Sequence, residues 1–420
     1  MMRLSKLGQR MAVRSGIGQL MDDLGAALSP QGEVLMLGGG NPAHIPEVEC
    51  CFRRGTMAML QDGARFERAV GEYGPPEGDR EFIAALAGLL RSEFGWRIGP
   101  RNIALTNGSQ LASFIVFNLF AGEHDDGTTK KILFPLTPEY IGYCDVVLTP
   151  DAFVAIRPRI EMLDEHFFKY HVDFDRLDVG DDVGAICVSR PTNPSGNVLT
   201  GDELVRLDEL ARARGIPLIV DNAYGLPFPH IVFTDAEPVW NDNTIVLMSL
   251  SKLGLPGVRT GIILASEEIV ETVARVNSVM SLAPGGLGTA IVTDLVRSGE
   301  ILRLGREVIA PFYERKARRA IERLHRGLDG IDYRLHRPEG AFFLWLWLPG
   351  LPISCHELYE RLKARNVIVV SGHYFFPGLA EPWSHANECL RISYAQNESA
   401  VARGLDLIAE EIRRVYETRS

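Results

Sequence analysis

Between about residue 100 and residue 265, short apolar runs alternate with stretches of helical periodicity, and this alternation constrains the fold more than any other feature of the chain. The runs Ile103 to Thr106, Lys131 to Phe134, Ala185 to Ser189, Leu218 to Asp221, Thr244 to Ser249 and Gly261 to Ala265 read as strands. Strands that return through helices build βαβ units, so the expectation is an α/β domain on a mostly parallel sheet with helices on both faces. One crossover is explicit: Glu203 to Arg214 sets Leu204, Leu207, Leu210 and Ala211 on one helical face, and Gly215 closes it.

After residue 300 the pattern changes. A long arginine-rich helix, about Ile301 to Leu328, is followed by Tyr333 to His336, Phe342 to Leu348, Val367 to Val370 and Leu390 to Tyr394, which read as strands of a smaller antiparallel sheet. Val401, Leu405, Ile408 and Ile412 mark the apolar face of a last helix. The predicted partition is a large domain over residues 51–304 and a smaller α+β domain drawn from residues 1–50 and 305–420.

Charge and cysteine usage narrow the partners. With 44 Lys+Arg against 54 Asp+Glu the formal charge is −10, which argues against nucleic acid or an anionic membrane as the main partner. Six scattered cysteines form no CxxC pair, so neither a disulfide framework nor a metal site is expected. No apolar stretch of signal-peptide length follows the basic N-terminal residues, and the longest apolar block, Ala341 to Leu348, falls far short of the roughly 20 residues a bilayer span needs. A soluble, cytoplasmic protein is the expectation. The glycine patterns GxxxxGK, GxGxxG after a strand and GxSxG are missing, so nucleotide, dinucleotide and hydrolase readings lack their usual residues.

In an open α/β sheet, ligands bind outside the carboxyl ends of the strands, so the residues there carry the functional argument. Asn107-Gly108-Ser109-Gln110 follows the first strand and precedes an apolar helix, which is either an ordinary N-cap or an anion site built from free N–H groups. Asp221 ends a strand with Tyr224 three residues on; the carboxylate either caps a turn or holds a protonated ring nitrogen. The loop Arg190-Pro191-Thr192-Asn193-Pro194-Ser195-Gly196-Asn197 leaves the same end of the sheet and offers the Asn193 amide.

Lysine is scarce: seven residues against 37 arginines. Most lysines are solvated surface groups, but Lys252 alone follows an apolar strand and precedes a glycine loop. A lysine amine in a partly dehydrated cleft has a lowered pKa and can condense with an aldehyde. Ser249, Ser251 and Arg259 around it carry donors suited to a phosphate. Arg391, between Leu390 and Ile392, either points to solvent on the alternate strand face or turns its fork toward a substrate carboxylate.

Asn193-Pro194-Ser195-Gly196, Asp221 with Tyr224, Ser251-Lys252 and Arg391, in this order and spacing, resemble the motifs of the fold type I, pyridoxal-phosphate-dependent aminotransferases of class I/II. The resemblance runs from Leu37-Gly38-Gly39-Gly40-Asn41-Pro42 to Leu390-Arg391-Ile392-Ser393-Tyr394, nearly the whole chain. It implies the type I transferase fold, pyridoxal 5′-phosphate as cofactor, and ping-pong transfer of an amino group from an amino acid to a 2-oxo acid. It also implies roles by position. Lys252 matches the lysine that holds the cofactor and then moves the substrate Cα proton, Asp221 the carboxylate on the pyridine nitrogen, and Tyr224 and Asn193 the donors to the ring hydroxylate. Gly108, Ser109, Gln110, Ser249, Ser251 and Arg259 match the phosphate cup, and Tyr140 the aromatic stacked on the ring. Tyr73, in Tyr73-Gly74-Pro75-Pro76-Glu77-Gly78, resembles the tyrosine that reaches the phosphate of a neighbouring subunit, which implies a homodimer with shared sites. Arg391 matches the anchor of the substrate α-carboxylate, helped by the backbone N–H of Gly39.

Relatives that favour dicarboxylic substrates usually bring a second arginine. The comparable stretch here, Asn277 to Gly288, holds none, although Arg275 lies just upstream, so a neutral, aliphatic side chain of the valine and alanine type is expected, with pyruvate as an example of the acceptor. Ser15-Gly16-Ile17-Gly18 is a candidate lid, with Ile17 against the substrate. The same core motifs also occur in C–S β-lyases and in aminotransferases of broader or aromatic specificity, which stand as alternatives. A regulatory sensor of this fold is expected to carry a DNA-binding module, and the roughly 30 residues before the motif-bearing region are fewer than a winged helix needs.

Overall fold

The computed structural model describes residues 3–12, 16, 18, 22 and 34–417. Two sheets organise it. In the larger, strands Thr129–Phe134, Val183–Ser189, Leu218–Asp221 and Thr244–Ser249 lie side by side and parallel, with Phe153–Ala155 parallel on the other side of Thr129–Phe134. Beyond Thr244–Ser249 comes Gly261–Leu264, antiparallel to it, and then Ile103–Thr106, antiparallel in turn. Two reversals restore the direction, so Ile103–Thr106 runs with the parallel strands. The central strands are buried on both faces, as their continuous apolar runs require.

Register then places the functional positions. Ser189 is opposite Asp221, Asp221 opposite Leu247, Ser249 opposite Gly261, and Gly261 opposite Thr106. The turns after Thr106, Ser189, Asp221 and Ser249 therefore leave one edge of the sheet together.

The second sheet runs Val370–Ser371, Cys389–Ser393, Phe343–Trp347, Arg334–His336, Phe167–His171, Arg159–Met162. Its first four strands pair antiparallel, whereas Arg334–His336 pairs parallel with Phe167–His171. The hairpin of residues 159–171 lies within the 51–304 span expected for the large domain, yet hydrogen-bonds into the sheet of the C-terminal part. The N-terminal side joins that part as well: Leu35 and Met36 pair with Val367 and Ile368, and the Leu37 carbonyl accepts the Ser393 N–H at 2.6 Å. The arginine-rich helix comprises Glu300–Arg303, a π-helical turn Leu304–Ile309, and Ala310–Gly327. Among the described residues no helix is long and apolar enough to cross a membrane.

The crossover helix Gly201–Ala213 shows how the two sheets are tied. Thr200 and Glu203 form a capping box, and Glu203 also accepts the Val172 N–H at 3.0 Å and faces His171 Nδ1 at 3.3 Å, at the end of the hairpin. Burial alone would raise its pKa, but the bonds from His171, Thr200 and Val172 outweigh that and hold it down to about 2. Because the folded pKa lies below the ordinary carboxylate value, this stabilisation is complete above that value and fades as pH falls toward about 2. Glu203→Ala is expected to remove about 2–4 kcal/mol, through a lost cap and an unpaired Val172 N–H, and to lower Tm at pH 7 while narrowing the gap to wild type at pH 3. Thermal unfolding at the two pH values checks this.

Candidate active site

The turns at the sheet edge enclose a cavity of about 640 Å³ of empty space, open to solvent, lined by Ser109, Gln110, Ser113, Tyr140, Ser189, Pro191, Asn193, Asp221, Ala223, Tyr224, Ser251, Lys252 and Arg259. Nine of the residues singled out in the sequence therefore share one wall-to-wall space.

On one side stands a donor-rich cradle. Ser109 and Gln110 open the helix Ser109–Phe120, whose first N–H groups have no intrahelical partners. Gly108 precedes it at φ +89°, and an added Cβ there would meet Arg259 Nη2 at 2.1 Å, so only glycine lets the guanidinium lie against this turn. Arg259 forms no ion pair among the described residues; its Nη1 donates to the Pro256 carbonyl at 3.2 Å. Gln110 donates to the Gly142 carbonyl at 2.9 Å, and Gly142 leaves room for the Tyr140 ring. Ser249 departs from its expected place in the cup. It is fully buried, its hydroxyl accepts the Ser251 N–H at 3.0 Å and reaches the Thr260 carbonyl, and it shapes the turn instead of lining the cavity.

Asp221 is 9% exposed. Burial raises its pKa, opposed by the Tyr143 hydroxyl donating at 2.7 Å, the Ala223 N–H at 2.9 Å and the charge of Lys252. Tyr224 lies buried with its ring against Phe342 and Phe343. Lys252 Nζ sits 5.4 Å from the centre of that ring and donates to the Gly40 carbonyl at 2.6 Å. Burial, then the charges of Arg391 and Arg259, push its pKa down to about 8.

Arg391 does not face solvent. It is 2% exposed, with Nη1 donating to Asn193 Oδ1 at 2.7 Å and Nη2 to the Gly38 carbonyl at 2.6 Å, while Nε has no partner among the described residues. Phe343 and Phe375 flank the guanidinium, and burial lowers its pKa to about 10. Asn193 is itself held in place by its loop: Lys169 donates to Asn197 Oδ1 and the Val198 carbonyl and pairs with Glu339, which also accepts the Val198 N–H. With Oδ1 committed to Arg391, the Asn193 amide keeps its N–H₂ as donor. Gly39 lies between the two glycines whose carbonyls accept from Arg391 and Lys252.

Tyr73 stays outside the cavity, 83% exposed. Arg275 is also on the surface, near Glu271 at 3.8 Å. Ile17 and Ser15 lie outside the described residues, whereas the flanking Gly16 approaches Tyr374 and Ile141. Sequence reasoning missed Tyr143, Ser189 and Glu139, which stand behind Asp221, and the Gly38 and Gly40 carbonyls. An acid beside two tyrosines in the otherwise apolar Glu139-Tyr140-Ile141-Gly142-Tyr143 was the available signal.

This constellation, a low-pKa lysine, a buried aspartate and an anion cradle at one sheet edge, coincides with a family match. Residues 33–408 match the family described as aminotransferase class I and II. The chain belongs to that family. The valine–pyruvate aminotransferase of Escherichia coli K12 is 50% identical to this aminotransferase over 99% of both chains. The crystal structure of the valine–pyruvate aminotransferase of Salmonella typhimurium LT2 is 50% identical, with a TM-score of 0.88 over 96% of this chain and 99% of that one. A crystal structure from Psychrobacter arcticum is 46% identical, with a TM-score of 0.96 over 99% and 100% of the two chains. In this aminotransferase Lys252 should be the lysine most reactive toward aldehydes near pH 8. Reductive labelling with a small aldehyde and borohydride, followed by peptide mapping, should mark Lys252 first among the seven lysines. Labelling that begins only as ordinary lysines do, near pH 10, would contradict its lowered pKa.

Proposed function

We propose that this aminotransferase moves the amino group between a neutral aliphatic amino acid of the valine and alanine type and a 2-oxo acid such as pyruvate, with pyridoxal 5′-phosphate as cofactor. The observation that carries the reading is the convergence of Lys252, Asp221 and Asn193 on one cavity, with Arg391 bonded behind Asn193. The donor set fits such a cofactor: Ser109, Gln110, Ser251 and Arg259 suit a phosphate, and Asp221 is the one carboxylate in the lining, suited to a cationic N–H. When bound, the cofactor supplies an aldehyde that takes up the amino group and a ring that accepts the electron pair left as Cα loses its proton.

The chain does the rest. Asp221, dehydrated in the cavity wall, would favour a protonated ring nitrogen, and Tyr224 and the Asn193 N–H₂ would donate to the ring oxygen. Lys252, neutral once deprotonated near pH 8, takes the Cα proton and returns it on the other side of the transfer. Arg391, fixed by Asn193 and the Gly38 carbonyl, orients the α-carboxylate, with the Gly39 N–H beside it. Tyr140 would stack on the ring; the lid role expected of Ile17 falls outside the described residues. We read the assembly as a homodimer in which Tyr73 reaches the partner's phosphate; Tyr73, Val279 and Leu282 leave large apolar surface exposed, in keeping with such an interface. The full-length relationship to valine–pyruvate aminotransferases favours transfer over the lyase alternative.

A donor panel of valine, alanine, aspartate, glutamate and tyrosine against pyruvate and 2-oxoglutarate tests the reading. Valine and alanine should give the largest kcat/KM, and the two acidic donors the smallest, since Arg275 lies on the surface. Preference for aspartate, or pyruvate released from cysteine without an acceptor, would sink it. Arg391→Ala is expected to raise KM about 10- to 100-fold for every donor alike, the loss of a charge-assisted contact common to all of them. A rise confined to one side chain would contradict the anchor.

A further inference from the structure

From Asp221 inward, four oxygens of buried side chains stand in a row. Asp221 Oδ2 lies 2.7 Å from the Tyr143 hydroxyl, that hydroxyl 3.1 Å from Ser189 Oγ, and Ser189 Oγ 2.6 Å from Glu139 Oε2. Tyr143 and Glu139 are fully buried, and Ser189 nearly so. Glu139 is further held by the Ser189 N–H at 2.9 Å and faces the Tyr140 N–H at 3.3 Å.

Counting hydrogens decides the protonation of this row. Three contacts need three hydrogens, and the two hydroxyls supply two. With both carboxylates ionised, Tyr143 must donate to Asp221 and Ser189 to Glu139, which leaves the Tyr143 and Ser189 oxygens facing each other with nothing between them, next to two buried like charges. One added proton completes the chain. On Glu139, it donates to Ser189, Ser189 to Tyr143, and Tyr143 to an ionised Asp221. On Asp221, the same three bonds run the other way.

Resting on the proposed function, we propose that Glu139, Ser189 and Tyr143 form a proton relay that stores one proton on Glu139 and so keeps Asp221 ionised toward the cofactor's ring nitrogen. The transfer balances. The Glu139 proton passes to Ser189 Oγ, the Ser189 hydroxyl proton to the Tyr143 oxygen, and the Tyr143 proton to Asp221, so that one carboxyl gains what the other loses and the net charge is unchanged. The groups facing Glu139 agree with storage there: Asp221, Tyr140, Tyr143 and the Cys187 thiol are anionic or neutral, and no cation is bonded to it among the described residues. Burial, helped by the charge of Asp221, raises the Glu139 pKa to about 8, against the bonds from Ser189. These three are positioning residues, acting on the site through Asp221.

Infrared spectroscopy of the holoenzyme at neutral pH reads the proton directly as the carbonyl stretch of a protonated, buried carboxyl. The expected result is one such band that shifts when glutamate side chains carry ¹³C, does not shift with labelled aspartate, and is lost in Glu139→Gln, whose amide can donate to Ser189 in place of the proton. The label assigns the band in the wild-type chain even if the variant does not fold. A band that follows the aspartate label in the loaded enzyme, or no band in either loaded or unloaded protein, overturns the relay. Cofactor uptake is read separately from visible absorption, so a protein that never takes up pyridoxal phosphate refutes the proposed function, while a loaded protein without the band refutes the relay alone.

Discussion

A carboxylate withdrawn from water loses its hydration, and the fold around it must supply donors or let it take up a proton. At Asp221 that requirement reaches in both directions. Outward, it leaves an unbalanced negative charge facing the cavity, with Lys252 as the cation that acts on it. Inward, it recruits Tyr143, which in turn is held between Phe117, Phe134 and Tyr140. The position is dictated by the register of the sheet: Asp221 is the last residue of its strand, flanked by Ser189 and Leu247, so neighbouring strands present their own ends to the same space. A one-residue slip would turn the carboxylate to the other face of the sheet and empty the site of its one acidic group.

Much of this was legible before any coordinates. The strands Ile103–Thr106, Leu218–Asp221 and Thr244–Ser249 occupy the predicted residues because continuous apolar runs bounded by turn residues admit few other readings. The scarcity of lysine singled out Lys252, and local grammar placed the cradle. Other features depend on contacts between distant residues. The pairing of Phe167 and Phe168 with Leu335 and His336 leaves no local trace, so the hairpin of residues 159–171 could not be assigned to the second sheet from periodicity. Strand alternation says that Arg391 differs in direction from its neighbours, but it does not say which face another part of the chain covers. That the covering surface includes Asn193 and Gly38 is a property of the assembled fold. Ser249 and Ser251 look equivalent in sequence; the close approach of Thr260 separates them.

The segment Leu37 to Gly40 shows how a stretch without reactive side chains shapes a site. Its carbonyls accept from Arg391 and Lys252, one on each side of Gly39, and Leu37 hydrogen-bonds to the strand that carries Arg391. An added Cβ at Gly38 would meet the Val369 carbonyl at 2.8 Å, so the backbone lies closer to the second sheet than any side chain would permit. Two cations far apart in sequence, Lys252 and Arg391, are thus indexed to one short run of backbone. Their separation is set by covalent geometry and not by long, flexible side chains.

The net charge of −10 does not oppose any of this, because the field in a dehydrated cavity is governed by the nearest charges. Arg391 and Arg259 both lower the pKa of Lys252, and that coupling is reciprocal. An anion bound at either arginine cancels part of the positive field, and the Lys252 pKa rises in response. Conversely, a charged Lys252 makes both arginines better anion binders than a neutral one does. Binding a phosphate or a carboxylate is therefore linked to the protonation of the lysine, and the base is most readily neutral when the arginine sites are empty. As a carboxylate leaves Arg391, the field it had cancelled returns and disfavours the charged amine. Burial and the two arginines then keep its pKa down, at about 8, until the next carboxylate arrives.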